Sequence, residues 1–435
     1  MSKYLKPGSR SDPPLVLGTG YFQDKSIELF RNVQTFVSKH IDDDANPSRV
    51  FVARVAMRPT LVLASNRIIR SYLSQTDDHF YNGLQDFFFG LFGPSIMFAE
   101  AQEAEAFRQI LVPLFSERAF SHYDDFLGDS LGYWMNETLH MGQGPPIDMY
   151  QQFKHLSLSF NIRIFLGVNE REDPDLFHSI SVWAHQHWHG VISVPLNVKV
   201  SFFMSSSYKK ANEAKDRLLS LIQDKIQTQN SHFLCQFQKS GLDLDLMKNH
   251  VLIFICALIP KASASILSSL LETSEKWYPK YVGPEGRISD QDVRVILLEI
   301  LRLWPPFVGG FRVAKCDTTI EDYLVPKGHG VFYVSMMAHR DPLVFPYPEE
   351  FLPERWRTFN AQDRDKLFGF GAGIHACVGE QFMWKFFTQV AQTFIQTFTW
   401  DITGLNGKRK IKYLPVSRPA ESKPLALLKR TSVSE

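Results

Sequence analysis

Apolar side chains return every three or four positions over residues 211–226, 247–271 and 290–303, and again from 380 to 398. That period predicts helices with a buried face. Ahead of them, residues 50–63 read Val-Phe-Val-Ala-Arg-Val-Ala-Met-Arg-Pro-Thr-Leu-Val-Leu, which predicts two strands split at Pro59 into a hairpin. Shorter strand-like pieces, such as 330–336, alternate with turns after Pro305. The pattern predicts a mainly α chain with a smaller β portion at about 45–75. No linker, charge block or repeat divides the sequence, so one domain is expected over 1–435.

Composition narrows the class. The 435 residues are 44% apolar and include 36 phenylalanines, enough for the large core of an enzyme. A formal net charge of +1 offers no electrostatic case for nucleic acid. Four scattered cysteines make no disulfide framework, which suits a reducing compartment. The first ten residues are polar and carry no apolar run of a signal peptide or anchor, so the expectation is a cytoplasmic protein with at most peripheral membrane contact. A monomer is expected.

The chemistry is concentrated in Phe370-Gly-Ala-Gly-Ile-His-Ala-Cys-Val-Gly379. Cys377 lies there in a glycine-punctuated loop beside His375, the setting of a thiolate that ligates haem iron and must be held rigidly, away from bulk water. Gly371, Gly373 and Gly379 permit a tight bulge with amides turned to the sulfur. Phe370 is expected beside the thiolate. Cys235, Cys256 and Cys316 have no such context and read as small buried hydrophobes.

This string resembles the haem-binding signature of the cytochrome P450 family. The resemblance implies that fold, a haem b between an oxygen-activating helix and the cysteine loop, Cys377 as axial ligand, and a helix starting at about Val378. Pro13, Pro14, Gly18 and Gly20 resemble the hinge that follows the anchor in membrane-bound relatives. Glu299-Ile-Leu-Arg302 places acid and base on one helical face, and Pro353-Glu-Arg355-Trp356 follows. By resemblance, Glu299, Arg302 and Arg355 form a buried charge network beneath the haem core. Arg108, Arg312 and His375 match cations for the haem propionates, although Ala104 stands where the family's Trp-x-x-x-Arg helix carries tryptophan.

The segment Ile255-Cys-Ala-Leu-Ile-Pro-Lys-Ala-Ser-Ala-Ser265 matches the oxygen-activating helix but lacks the family's acid-alcohol pair. Ala262 stands at the acid, Ser263 at the alcohol. Ser263 reads either as a proton-relay hydroxyl or, like Ser265, as a small packing residue. Pro260 is expected to kink the helix and Lys261 to face solvent. The resemblance implies a monooxygenase acting on an apolar molecule such as a lipid or terpenoid, with electrons from a ferredoxin, flavodoxin or reductase. The missing acid supports an alternative, a reductant-independent isomerase or lyase of a fatty-acid hydroperoxide or endoperoxide. A haem protein without turnover is a third reading.

Phe87, Phe88 and Phe89, with Ala257 and Ala262, are candidate pocket residues, or else ordinary core. His185 and His189 share a helical face but lack an acid or cysteine to complete a metal site. Residues 191–203 read as a weak apolar roof. Arg364, Lys366 and Lys385 read either as a docking patch for an acidic donor or as solvated surface.

Overall fold

The computed structural model describes residues 3–8, 14–17, 23–41, 48–74, 78–142, 146–193, 206–256, 258–358, 360–401, 411–413, 416–420 and 427–429. Of the expected hinge, Pro13, Gly18 and Gly20 lie outside them, as do Ala257 and residues 194–203 of the apolar roof.

The fold is mainly helical, with one six-stranded sheet ordered β1-β2-β3-β8-β5-β4. Its strands are β1 (Leu15–Leu17), β2 (Val50–Val55), β3 (Arg58–Leu63), β4 (Phe80–Asn82), β5 (Gly310–Ala314) and β8 (Gly330–Tyr333). The small pair β6 (Thr318–Ile320) and β7 (Tyr323–Val325) stands apart. Four of the six strands thus come from outside residues 45–75, where the β portion was expected. The 330–336 piece ends as a strand at Tyr333 and turns helical from Ser335.

The β2–β3 hairpin turns at Ala56 and Met57, both at positive φ (52° and 63°), rather than at Pro59. Pro59 sits inside β3 opposite Arg54, one residue before pairing with β8 begins at Thr60, so its missing N–H costs the sheet no bond. Both faces of the hairpin are covered. Phe51, Ala53 and Val62 pack into one cluster, and Val50, Val52, Leu61 and Leu63 into another. A near-continuous apolar run follows from that double burial.

The helices that build the main core are α1 (Gln85–Phe92), α2 (Ala101–Leu114), α3 (Met149–Leu166), α4 (Pro174–Ser193), α5 (Ser206–Gln227), α6 (Leu244–Ile255), α7 (Leu258–Glu272), α8 (Asp290–Leu303) and α9 (Glu380–Thr397). Helix α8 is capped by Ser289, which accepts from the Asp292 amide at 3.1 Å, and every residue from Val295 to Leu303 is buried. The stretch 244–272 is apolar enough to cross a membrane by length and composition, yet 76% of its apolar 18-residue window is buried inside the protein.

Inside α8, Glu299 and Arg302 are both fully buried. Arg302 grips the carboxylate with two parallel bonds of 2.9 and 2.8 Å. Its remaining donors reach the carbonyls of His339, Pro348 and Glu350. Glu299 also accepts from Arg355 Nε at 3.2 Å, Trp356 Nε1 at 2.8 Å and the Leu352 amide at 2.8 Å. A bare buried ion pair barely offsets its own desolvation, but this one has its lone pairs and N–H groups filled.

His339 carries the network onward. Its Nδ1 donates to the Arg302 carbonyl at 3.2 Å, and its Nε2 accepts from the Phe368 amide at 2.8 Å, at the entrance to the cysteine loop. That pairing defines a neutral ring with hydrogen on Nδ1, and burial followed by the charges of Arg302 and Arg340 pushes its pKa down to about 3. Because the folded pKa lies below the unfolded value of 6.5, the unfolded chain binds the extra proton. Stability should therefore fall as pH drops from about 6.5 toward 4. Urea unfolding across that range should show the slope shrinking in His339→Asn; an unchanged slope in the variant contradicts the assignment.

Candidate active site

The loop from Phe368 to Gly379 is closed by backbone bonds. The Gly371 amide donates to Phe368 O at 3.0 Å, the Ala376 amide to Gly373 O at 3.1 Å, and the Cys377 amide to Phe370 O at 2.7 Å. Gly371 and Gly373 lie at φ +72° and +62°, and a Cβ on Gly373 would stand 2.1 Å from the Leu73 carbonyl oxygen. Gly379 differs: at φ −95° it needs no glycine freedom, and it caps α9, which begins at Glu380 rather than near Val378. Its contribution is an amide hydrogen bond to the Cys377 sulfur. Gly369 seats the loop on α8, since a Cβ there would meet the Leu301 side chain at 2.3 Å. The Phe370 ring rests on Trp384 of α9 at 5.6 Å.

Cys377 has exposed surface, yet burial among protein atoms pushes its thiol up to about 11. A side chain that keeps exposed surface and is still surrounded by protein atoms lines a recess. Its thiol is protonated at neutral pH, and a bound metal displaces that proton. Of the other cysteines only Cys256 is buried. Cys235 is half-buried and Cys316 exposed, which corrects the expectation for those two.

Two guanidiniums and an imidazole converge beside the loop. Arg108, half-buried on α2, donates to the Ala376 carbonyl at 2.5 Å. Arg312 lies on β5 opposite Asn82 and lines one pocket with His375, Tyr72 and Ala372. Burial first, then the charges of Arg312 and Arg108, push His375 down to about 4. The one carboxylate in that pocket, Glu100, is held by Lys315 at 2.6 Å. Two guanidiniums whose one neighbouring carboxylate is already held by a lysine, next to an enclosed thiol, fit a flat dianionic metal cofactor such as haem.

Facing helices α6 and α7 do not form the continuous helix expected over 247–271. Helix α6 stops at Ile255, Cys256 is extended (φ −65°, ψ 157°), and its sulfur accepts from the Leu258 and Ile259 amides at the start of α7. Pro260 stands in the first turn of α7, where its own missing N–H costs nothing. Its ring would clash with the Cys256 carbonyl four residues back, so the break lies upstream of the proline. Ser263 is 1% exposed and its Oγ donates to the Ile259 carbonyl at 3.0 Å. Ser265 bonds the Ser417 carbonyl at 2.5 Å. Lys261 does not face solvent: it is half-buried, with Nζ 4.6 Å from the Trp188 ring centroid, and burial pushes its ammonium down to about 7. Ala262, half-buried, packs at the margin of the main core with Leu258 one turn before it.

The aromatic run on α1 is divided. Phe88 packs on the core, Phe87 stands 6.2 Å from it, and Phe89 is 41% exposed against Phe98. Among the described residues no His, Cys, Asp and Glu cluster could hold a metal, and His185 bonds the Ser181 carbonyl. The three cations near the loop already have acids: Arg364 pairs with Glu380, Lys366 with Asp363 and Lys385 with Glu117. Sequence reasoning passed over His339 and Gly369. Only their contacts, in parts of the chain distant in sequence, mark them out.

Comparison with known proteins agrees with this geometry. The Cytochrome P450 family model matches residues 293–425, the span that holds both the buried ion pair and the cysteine loop. Cytochrome P450 26B1 of Danio rerio is 23% identical over 356 residues, covering 72% of this chain and 67% of its own. Putative cytochrome P450 120 of Synechocystis is 23% identical over 363 residues, 76% of this chain and 79% of its own. The solved structure of retinoic acid bound cyanobacterial CYP120A1 superposes with a TM-score of 0.76 at 20% identity, covering 96% of this chain and 99% of that one. The same span of the chain carries the family match and the cysteine loop, and the fold agrees over nearly its whole length, so the comparisons support a cytochrome P450, a protein with a cysteine-ligated haem.

Proposed function

We propose that the chain is a monooxygenase that inserts one oxygen atom into an apolar organic molecule, using electrons from a ferredoxin, flavodoxin or reductase. The carrying observation is the Cys377 loop, with the Gly379 amide on its sulfur and Arg108, Arg312 and His375 beside it. In this reading Cys377 is the axial ligand, the guanidiniums of Arg108 and Arg312 hold the haem carboxylates and His375 donates a ring N–H to one of them. When bound, the haem-thiolate supplies the activation of dioxygen. The protein's part is to keep the sulfur's hydrogen bond, exclude water and orient the substrate. Glu299, Arg302 and Arg355 act through the loop's position rather than on the substrate. Four free cysteines suit a cytoplasmic or membrane-peripheral enzyme. The lipid or terpenoid class follows from what the relatives are called, among them Beta-amyrin 28-monooxygenase of Saponaria officinalis.

A second reading is favoured by one observation: the proton of Ser263 Oγ is already committed to the Ile259 carbonyl, and no carboxylate stands nearby on α7. An isomerase or lyase of a fatty-acid hydroperoxide needs neither reductant nor a relayed proton, because its substrate brings the O–O bond.

The haem assignment predicts that Cys377→Ser keeps the helical far-ultraviolet signal but loses the thiolate-haem absorption. Arg108→Gln combined with Arg312→Gln should lower haem retained per chain at least about fivefold, through loss of charge-assisted bonds. Full haem retention by the double variant contradicts the propionate role. For the reaction, anaerobic incubation of the holoprotein with a polyunsaturated fatty-acid hydroperoxide, without reductant, should leave the conjugated-diene absorbance unchanged, whereas rapid conversion to one product establishes the second reading. Ser263→Ala should alter reductant-driven turnover by less than about threefold, because a hydroxyl bonded within its own helix contributes little to proton delivery.

A further inference from the structure

Away from the cysteine loop, cationic side chains gather where α3, α4 and α7 meet the short strand Arg418–Pro419. Lys154 on α3, His185 on α4 and Lys261 on α7 are each half-buried. Lys261 lies within electrostatic reach of Lys154 and Arg418, and His185 within reach of Lys154, Lys261 and His189. Their polar contacts are few. Lys154 Nζ donates to Gln151 Oε1 at 2.8 Å, His185 Nδ1 bonds the Ser181 carbonyl at 2.7 Å, and Lys261 rests on the Trp188 ring. Among the described residues none of these three side chains forms an ion pair. The carboxylate that reaches the group, Asp148, acts on Lys154 from its place as the N-cap of α3, where it accepts from the Gln151 amide.

Mutual repulsion and burial make this arrangement costly without an anion: burial first, then neighbouring positive charge, lowers Lys261 and His185, and burial lowers Lys154. The surroundings also hold unused polar atoms. Tyr150 Oη, Ser417 Oγ and Trp188 Nε1 are buried and without a hydrogen-bond partner among the described residues. Their residues are 8%, 3% and 2% exposed, and Tyr150 lies within reach of the Arg418 charge. Ala262, half-buried at the margin of the main core, follows Lys261 directly on α7.

We propose that Lys154, His185 and Lys261, with Arg418 at the edge, form a binding site for the carboxylate of an apolar acid at the junction of α3, α4 and α7. A carboxylate fits better than a phosphate, because a dianion loses more hydration among half-buried groups than these spaced cations return. The inference rests on the reading of the protein as an enzyme of apolar substrates and narrows that class to acids. It also gives Lys261 a reason to be buried: the anion restores the charge that burial removes. Raising pH through about 7 withdraws the proton from free Lys261, while Lys154 and Arg418 above it, His185 and His189 on α4, Cys256 before α7 and Asp148 on α3 set the remaining field.

The test is calorimetric binding to the holoprotein at about pH 6.5, with sodium dodecanoate, dodecanol and sodium acetate as probes. Dodecanoate should bind at least about tenfold more tightly than dodecanol, the scale of one charge-assisted hydrogen bond, and far more tightly than acetate. Lys261→Met and Lys154→Met should each cut that preference about tenfold, Lys261→Arg should keep it, and it should shrink as pH rises to about 9. Lys261→Met should also raise the melting temperature without ligand, since it removes a buried cation. Equal binding of acid and alcohol, or a preference that survives both methionine variants, overturns the inference; acetate matching dodecanoate overturns the apolar-acid assignment. The thiolate-haem absorption of the same samples reports the Cys377 site separately, so intact haem with no acid preference leaves the enzyme reading standing.

Discussion

A carboxylate and a guanidinium enclosed together inside one helix set the terms for the rest of this structure. Glu299 and Arg302 are fully buried, and neither tolerates the loss of its partner, because an isolated charge in that interior has no solvent to turn to. Their remaining hydrogen-bonding capacity draws in the carbonyls of residues 339, 348 and 350, the Leu352 amide, Arg355 and Trp356. A long irregular stretch with little secondary structure is thereby held by side-chain bonds. His339 passes that order on to Phe368, and Gly369 lets the chain lie against Leu301 before it turns toward Cys377. Rigidity at the sulfur is thus derived from a charge pair that touches neither the sulfur nor any substrate.

The site itself is defined by electrostatic asymmetry. One side of the cysteine loop presents Arg108, Arg312 and His375, while the thiol occupies an enclosed position that disfavours its own ionisation. Both features suit a group that brings negative carboxylates and a metal cation at once. On the other side, α7 offers a serine that bonds its own helix, with no acid near it on that helix. The protein is therefore strongly specified for holding its cofactor and weakly specified for relaying protons, and the choice between reductant-driven and reductant-independent chemistry turns on that second property.

Much of this was legible in the chain because the signals are local. The helix over 290–303 ends where its period and Pro305 say it should, and the cysteine loop declares itself through fixed offsets of aromatic, glycine, histidine and cysteine. Glu299, Arg302 and Arg355 were recognisable as a set, and the structure brings them together. What escaped notice depends on distant partners. Pro59 looked like a turn residue, but β8, far along the chain, begins pairing just beyond it and leaves its nitrogen unneeded. The break between α6 and α7 precedes Pro260 because the proline ring acts on a carbonyl one turn back. Lys261 looked solvated because lysine usually is, and only the packing of α4 and Trp188 over it shows otherwise. His339 is one histidine among 14 until its two ring nitrogens are seen to join α8 to the loop.

The central claim is that the buried pair holds the cysteine loop. Its most direct test is amide hydrogen exchange across residues 366–379 together with urea unfolding, in the native chain and in Arg302→Met, which strands Glu299 without its cation. The account predicts a loss of about 3–5 kcal/mol in stability and faster exchange at the Phe368 and Cys377 amides under conditions where the variant remains folded. Unchanged exchange at those two amides in a destabilised but folded variant would show that the loop holds its shape independently of the charge pair, and would contradict the account.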